Sequence, residues 1–234
     1  MNMPTLEELL GVGAHFGHRV SRWNPKMAPY IFTTRNKFHI IDLDKTLEKL
    51  KTAADYVSDV VSGGGLVLFV GTKRQAKPII KKYAKEAGMP FVAERWLGGS
   101  LTNFKTIQRS IRKLDDLEKL VESPEIENYT KKERLMMERE INKNRILFEG
   151  IRNLKKLPDA LFVLDSNIDK IAVEEARVVG VPVIGIADTN SDPGAFSCLI
   201  PANDDSIKTL DLITKIIGEA AKHKIVNPED SKTE

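Results

Sequence analysis

The sequence predicts an α/β fold: a mostly parallel, doubly wound sheet with an inserted antiparallel coiled-coil α-hairpin. Three observations predict it. Short, wholly apolar runs alternate with amphipathic helical stretches; glycines frame the first of those runs; and one long segment has helical periodicity but no strand-like run.

Taken in order, a helix over 44–61 places Leu47, Leu50, Ala54, Val57 and Val61 on one face. Leu66-Val67-Leu68-Phe69-Val70, between Gly63-Gly64-Gly65 and Gly71, reads as a strand buried on both faces. The next helix, 73–87, turns Ala76, Ile80, Tyr83, Ala84 and Ala87 inward and ends at Gly88 and Pro90. Ala160-Leu161-Phe162-Val163-Leu164 is a strand, Asp169–Val179 a helix, and Val181–Ala187 a further strand. A last helix over 204–222 turns Ile207, Leu210, Ile213, Ile217 and Ala221 inward. Such alternation belongs to flavodoxin-like or Rossmann-like sheets.

The segment 102–156 breaks the alternation. Ile107, Ile111, Leu114, Leu117 and Val121 mark one arm; Ser123-Pro124 interrupts it. The capping box Thr130-Lys131-Lys132-Glu133 starts a second arm, with Met137, Ile141, Phe148, Ile151 and Leu154 on its seam and Asn144 as a polar register mark. The seam is expected to be consumed between the two arms, so the hairpin projects from an α/β domain of 1–101 and 157–225, and 226–234 is a disordered tail.

Charge is distributed unevenly. Residues 1–156 hold 29 Lys+Arg against 19 Asp+Glu, residues 157–220 hold 4 against 11, and the whole chain is only +3. A polyanion on one side and a protein neighbour on the other are the expected partners. Three windows contain no acid at all: Leu9–Ile41, Val60–Lys85 and Arg95–Leu114. A solvated face mixes signs, because like charges repel; acid-free windows suit phosphates. The expected RNA-binding residues are therefore Arg19, Arg22, Trp23, Asn24, Lys26, Arg35 and Lys37 in the first window, with Lys73, Arg74, Lys77 and Lys81 in the second. Arg95, Asn103, Lys105, Arg109 and Arg112 follow in the third, and Lys131, Lys132, Arg139 and Lys143 on the second arm. Residues 15–30, punctuated by Pro25 and Pro29, read as an ordered loop. There Phe16, Trp23 and Tyr30 interleave with cations, as RNA stacking requires, although Trp23 suits core packing equally well.

A single cysteine, Cys198, fits a reducing cytoplasm. No apolar run reaches the roughly eighteen residues of a membrane span, so no membrane partner is expected. No cofactor is required; His15, His18, Asp188 and Asp204 form a candidate zinc or magnesium set, set against the commoner reading of hydrogen-bonded histidines. Val70-Gly71-Thr72-Lys73-Arg74 sits at a strand-to-helix turn, which permits an alternative: an α/β enzyme acting on a phosphorylated ligand. Against it, neither a phosphate-loop motif nor a poised nucleophile is present, and no small-molecule substrate is expected.

His15-Phe16-Gly17-His18, Asn24-Pro25-Lys26-Met27, Val70-Gly71-Thr72-Lys73, Arg95-Trp96-Leu97-Gly98-Gly99, Asp188-Thr189-Asn190 and Asn203-Asp204-Asp205 occur in this order. Over essentially the whole chain they resemble the bacterial small-subunit ribosomal protein S-two family. The resemblance implies a parallel sheet with an inserted hairpin, and a ribonucleoprotein site near the head–body junction of the small subunit, bound to 16S ribosomal RNA. It also implies contacts with other small-subunit proteins, the messenger-binding protein S-one among them, and a structural role in translation without catalytic residues.

Overall fold

The computed structural model describes residues 3–222; the expected tail, 226–234, lies outside them. The chain opens with α1 (Leu6–Gly11), started by a reciprocal Thr5–Glu8 capping box. Three antiparallel strands follow, β1 (Phe16–Arg19), β2 (Ile31–Arg35) and β3 (Phe38–Ile41), in the order β1-β3-β2. The expected loop over 15–30 is thus corrected: it is a strand and two 3-10 turns, and it belongs to a β-ribbon. Its strands are short and mostly exposed, so they carry no buried apolar run to announce them.

The main layer runs α2 (Leu43–Ser62), β4 (Val67–Val70), α3 (Ala76–Ala87), β5 (Phe91–Val92), α4 (Phe104–Glu122), α5 (Lys131–Phe148), β6 (Ala160–Val163), α6 (Lys170–Val179), β7 (Val183–Ala187), β8 (Cys198–Pro201) and α7 (Ile207–Ala220). Its five strands are all parallel, in the order β5-β4-β6-β7-β8, which is the flavodoxin-like arrangement. Side chains alternate across the sheet. Val67, Phe69, Ala160 and Phe162 join the apolar cluster made with α2, α3 and α7. Leu68, Val70, Leu161 and Val163 join the cluster on the opposite face, with α6 and the long hairpin. Phe69 and Phe162 meet edge-on in neighbouring strands, ring centroids 5.2 Å apart.

The hairpin is antiparallel: Lys113 pairs with Glu140 (2.8 Å), Glu118 with Arg145 (2.5 Å), and Arg152 with Asp115 (2.5 Å) and Glu118. Thr130 and Glu133 form the expected capping box. The seam is not consumed wholly between the arms, however. Ile107, Ile111, Leu114, Ile141, Phe148, Ile151 and Leu154 belong to the same cluster as the sheet residues Leu68, Val70, Leu161 and Val163. The chain leaving α5 also covers the sheet edge: Phe91 N donates to Gly150 O (3.0 Å), and a Cβ at Gly150 would lie 2.1 Å from Phe91 O. The hairpin base is therefore the roof of one sheet face. A second difference is Ile207, expected inward, which is 58 % exposed at the first position of α7 because Ser206 caps that helix. Among the described residues no helix is long and apolar enough to cross a membrane.

Candidate nucleic-acid interface

The ribbon is held to the main sheet by its own backbone. Gly17 crosses the turn after β7 so closely that a Cβ would sit 2.6 Å from Thr189 Cγ2. His18 N donates to Thr189 Oγ1 (2.9 Å), and Asn24 N donates to Thr189 O (2.7 Å). Three residues expected at RNA make contacts within the protein. Trp23 packs half-buried on His39 (centroids 4.9 Å), Asn24 Oδ1 accepts from Lys26 N (3.0 Å), and Lys26 pairs with Asp192 (3.1 Å).

The outer face of the ribbon is different. Cross-strand partners share a face, and Arg19 and Arg35 both lie opposite Phe38, while Phe16 lies opposite Ile40. Arg19 lies over the Phe38 ring at 5.5 Å. The β2–β3 turn has two central residues, Asn36 (φ 51°) and Lys37 (φ 67°), both left-handed as a tight hairpin demands. Asparagine tolerates that conformation; for lysine it costs on the order of 1 kcal/mol. Arg19, Arg22, Arg35 and Lys37 are exposed and form no ion pair among the described residues. Arg19, Arg22 and Arg35 line an open groove of about 920 Å³ together with Asp188, Asn203 and Asp205.

Beyond that groove lies the C-terminal edge of the main sheet, where folds of this kind bind ligands. Here it is already filled. Lys73, expected at phosphate, is one-tenth exposed and places Nζ 3.0 Å from Asp165, 3.1 Å from Asp204 and 2.7 Å from Asp205. Burial pushes its pKa down, and hydrogen bonding and charge from Asp205, Asp204 and Asp165 outweigh this and raise it. The neighbouring turn is taken as well: Thr72 N (3.1 Å) and Thr72 Oγ1 (2.8 Å) both donate to the Asp169 carboxylate, where a bound phosphate would sit. Burial together with Asp165 and Asp188 pushes Asp204 up to about 7. His18 Nδ1 lies 3.0 Å from Asp188, and that hydrogen bond, opposed by burial, raises its pKa to about 8.

Of the candidate metal set, His18, Asp188 and Asp204 offer atoms within 4.8 Å of one another. His15 is not among them; its Nδ1 is buried without a partner among the described residues, and burial lowers its pKa. The α3 stripe is also committed internally. Lys77 and Lys81 both pair with Glu94 (2.7 and 3.0 Å), and Lys81 also reaches Glu149 (3.0 Å). Arg74, exposed at the turn before α3, stays unpaired among the described residues.

On the hairpin, Lys105, Arg109 and Arg112 of α4 and Lys131, Lys132, Arg139 and Lys143 of α5 are exposed, without ion pairs among the described residues. Asn103 turns its Oδ1 to Thr106 Oγ1 (2.8 Å). Exposed Arg95 adjoins a turn fixed by Glu175, a residue that sequence patterning passed over. This buried carboxylate accepts from Trp96 Nε1 (3.0 Å), from the N–H groups of Gly99, Leu101 and Thr102, and from Thr102 Oγ1. Burial pushes its pKa up, yet these donors together hold it below the usual glutamate value.

Comparison with known proteins identifies a family. A family model described as "Ribosomal protein S2" matches residues 9–224. Two curated relatives, each named "Small ribosomal subunit protein uS2", come from two strains of Thermus thermophilus. Each is 50% identical over 209 residues, covering 89% of this chain and 82% of the relative.

Proposed function

Because the chain belongs to the ribosomal protein S2 family, whose members are structural, non-enzymatic proteins of the small ribosomal subunit, we propose that it binds 16S ribosomal RNA through the outer face of the β-ribbon and the exposed cations of the hairpin. The alternative of an enzyme acting on a phosphorylated ligand is set aside by this membership. One observation carries the RNA reading: among the described residues Arg19, Arg22, Arg35 and Lys37 stand unpaired beside exposed aromatic rings, while Lys73, Lys77 and Lys81 are held by carboxylates. Unpaired cations release counterions on meeting phosphate, whereas paired ones must first break an internal contact. Lys37 supports the same reading, since it keeps a cation where glycine would relieve the backbone. In the test, the triple variant Arg19→Ala, Arg22→Ala, Arg35→Ala should fold normally yet leave the small-subunit peak of a sucrose gradient. Undiminished co-sedimentation would reject the assignment.

Other small-subunit proteins, the messenger-binding protein S-one among them, would meet the acidic part of the chain, 157–220. Exposed Ile168, Ile171 and Val178 around α6 support a protein contact there. A divalent ion, zinc or magnesium, would be held by His18, Asp188 and Asp204. Supporting it, among the described residues four carboxylates (Asp165, Asp188, Asp204 and Asp205) face two cations, Lys73 and His18. Elemental analysis of purified protein finding neither metal would remove that reading without touching the structural role.

A further inference from the structure

The groove beside the ribbon has an arrangement that phosphate binding alone leaves unexplained. Three arginines, Arg19, Arg22 and Arg35, border it together with the rings of Phe16 and Phe38, which are 52 % and 40 % exposed. The same groove is also lined by the Asp205 carboxylate, 62 % exposed. A carboxylate at the mouth of a phosphate-binding groove repels the backbone it faces. It becomes favourable only where the ligand presents hydrogen-bond donors to it.

A nucleotide of RNA has all three matching parts. Its phosphates suit the arginines, its flat base suits exposed phenylalanine rings, and its base edge can donate. Among the four bases, guanine alone sets two N–H donors side by side, at N1 and N2, matching the two oxygens of one carboxylate. Asp205 has acceptor capacity left for them. Its Oδ1 is 2.7 Å from Lys73 Nζ and its Oδ2 is 3.6 Å from His18 Nε2, yet each oxygen has two lone pairs and the group faces solvent. The Lys73 contact also fixes the carboxylate in place. The floor is large enough: about 920 Å³ accommodates a nucleotide with room for its flanking phosphates.

We propose that this groove is a base-reading pocket that takes one unstacked guanine of RNA, with its ring against Phe16 and Phe38, its phosphates on Arg19, Arg22 and Arg35, and its N1–H and N2–H edge on Asp205. This rests on the ribbon being the RNA-binding face, and adds a specificity that cations by themselves do not supply.

The test uses the full chain and fluorescence anisotropy with short, labelled, uridine-rich RNAs carrying one central guanosine, inosine or adenosine. The guanosine RNA should bind about tenfold more tightly than the adenosine RNA, with inosine, which lacks the N2 amine, between them. Asp205→Asn should bring the guanosine-to-adenosine ratio close to one, and Phe38→Ala should weaken every RNA. Circular dichroism and a urea midpoint confirm that both variants are folded. Guanosine monophosphate should compete at least about tenfold more weakly than the guanosine RNA, because it lacks the flanking phosphates. Binding without base preference would overturn the pocket while leaving the cationic ribbon standing. Guanosine monophosphate binding as tightly as the RNA would overturn the assignment in favour of a free nucleotide. Failure of every RNA to bind would overturn the ribbon reading and this one together.

Discussion

The β-ribbon and the C-terminal edge of the main sheet are neighbours, both drawn from acid-free windows of the sequence, yet they treat their cations in opposite ways. On the ribbon, Arg19, Arg22 and Arg35 stay in water and unpaired among the described residues. At the sheet edge, Lys73 is buried against Asp165 and Asp204 with Asp205 above it. The acids that hold it are more than ninety residues away in sequence, so a local window cannot reveal them. A doubly wound sheet usually leaves this edge open for a ligand. Here the protein has filled that crevice with its own ion pairs, and an appended antiparallel layer carries cations that form no ion pair among the described residues. Charge in a sequence therefore indicates a polyanion only after the remote carboxylates have been accounted for.

If that contrast is right, cation removal has opposite consequences in the two regions. Lys73→Ala should cost about 3–5 kcal/mol, because it strands two buried carboxylates. Arg35→Ala should change stability by no more than about 0.5 kcal/mol. Urea unfolding at neutral pH measures both, and the Lys73 deficit should narrow on acidification as the stranded carboxylates take up protons. Equal costs for the two variants would erase the distinction.

Leu114→Ala sharpens the comparison from the hairpin side. Leu114 is 1 % exposed and shares a cluster with the sheet, so its truncation should cost about 2–5 kcal/mol in global stability. Excising the hairpin should likewise unfold the α/β layers. A change that melted only the hairpin helices, with the sheet still cooperative, would contradict the shared core.

His18 links the two regions and should make stability depend on pH. Its folded pKa of about 8 exceeds the ordinary 6.5, so the folded state holds the proton more tightly. The resulting stabilisation is complete below about pH 6.5 and is lost as pH rises through about 8. Wild type should exceed His18→Gln by roughly 2 kcal/mol at pH 6, the gap closing by about pH 9. A gap independent of pH would mean that His18 is not charged in the fold.

A smaller effect than at His18 is expected at Lys37. Glycine there should stabilise the hairpin turn by about 1 kcal/mol while weakening RNA binding. A gain in stability with unchanged RNA affinity would make the left-handed lysine a mere tolerance.

The parallel sheet was legible because its strands at Val67–Val70, Ala160–Val163 and Val183–Ala187 are buried on both faces and so wholly apolar. The two-residue β5 and the proline-ending β8 are too short or too irregular to give that signal. The ribbon escaped notice because Phe32, Thr33, Thr34 and Arg35 are all exposed and no alternation marks them. In the candidate site, the types and numbers of cations could be read from the chain, but not their pairing. Glu175 was illegible for the same reason: its donors sit more than seventy residues upstream, in the Trp96–Thr102 turn.

The salt dependence of 16S RNA affinity tests the central claim most directly. Each phosphate contact contributes about 0.7–0.9 to the slope of log affinity against log salt. Replacing Arg19, Arg22 and Arg35 by alanine should lower the slope by about 2–3, whereas Lys77→Ala with Lys81→Ala should leave it within about 0.5 of wild type. A slope that falls for the lysine pair and holds for the arginine triple would contradict the account, by showing that the paired cations and not the free ones meet the RNA.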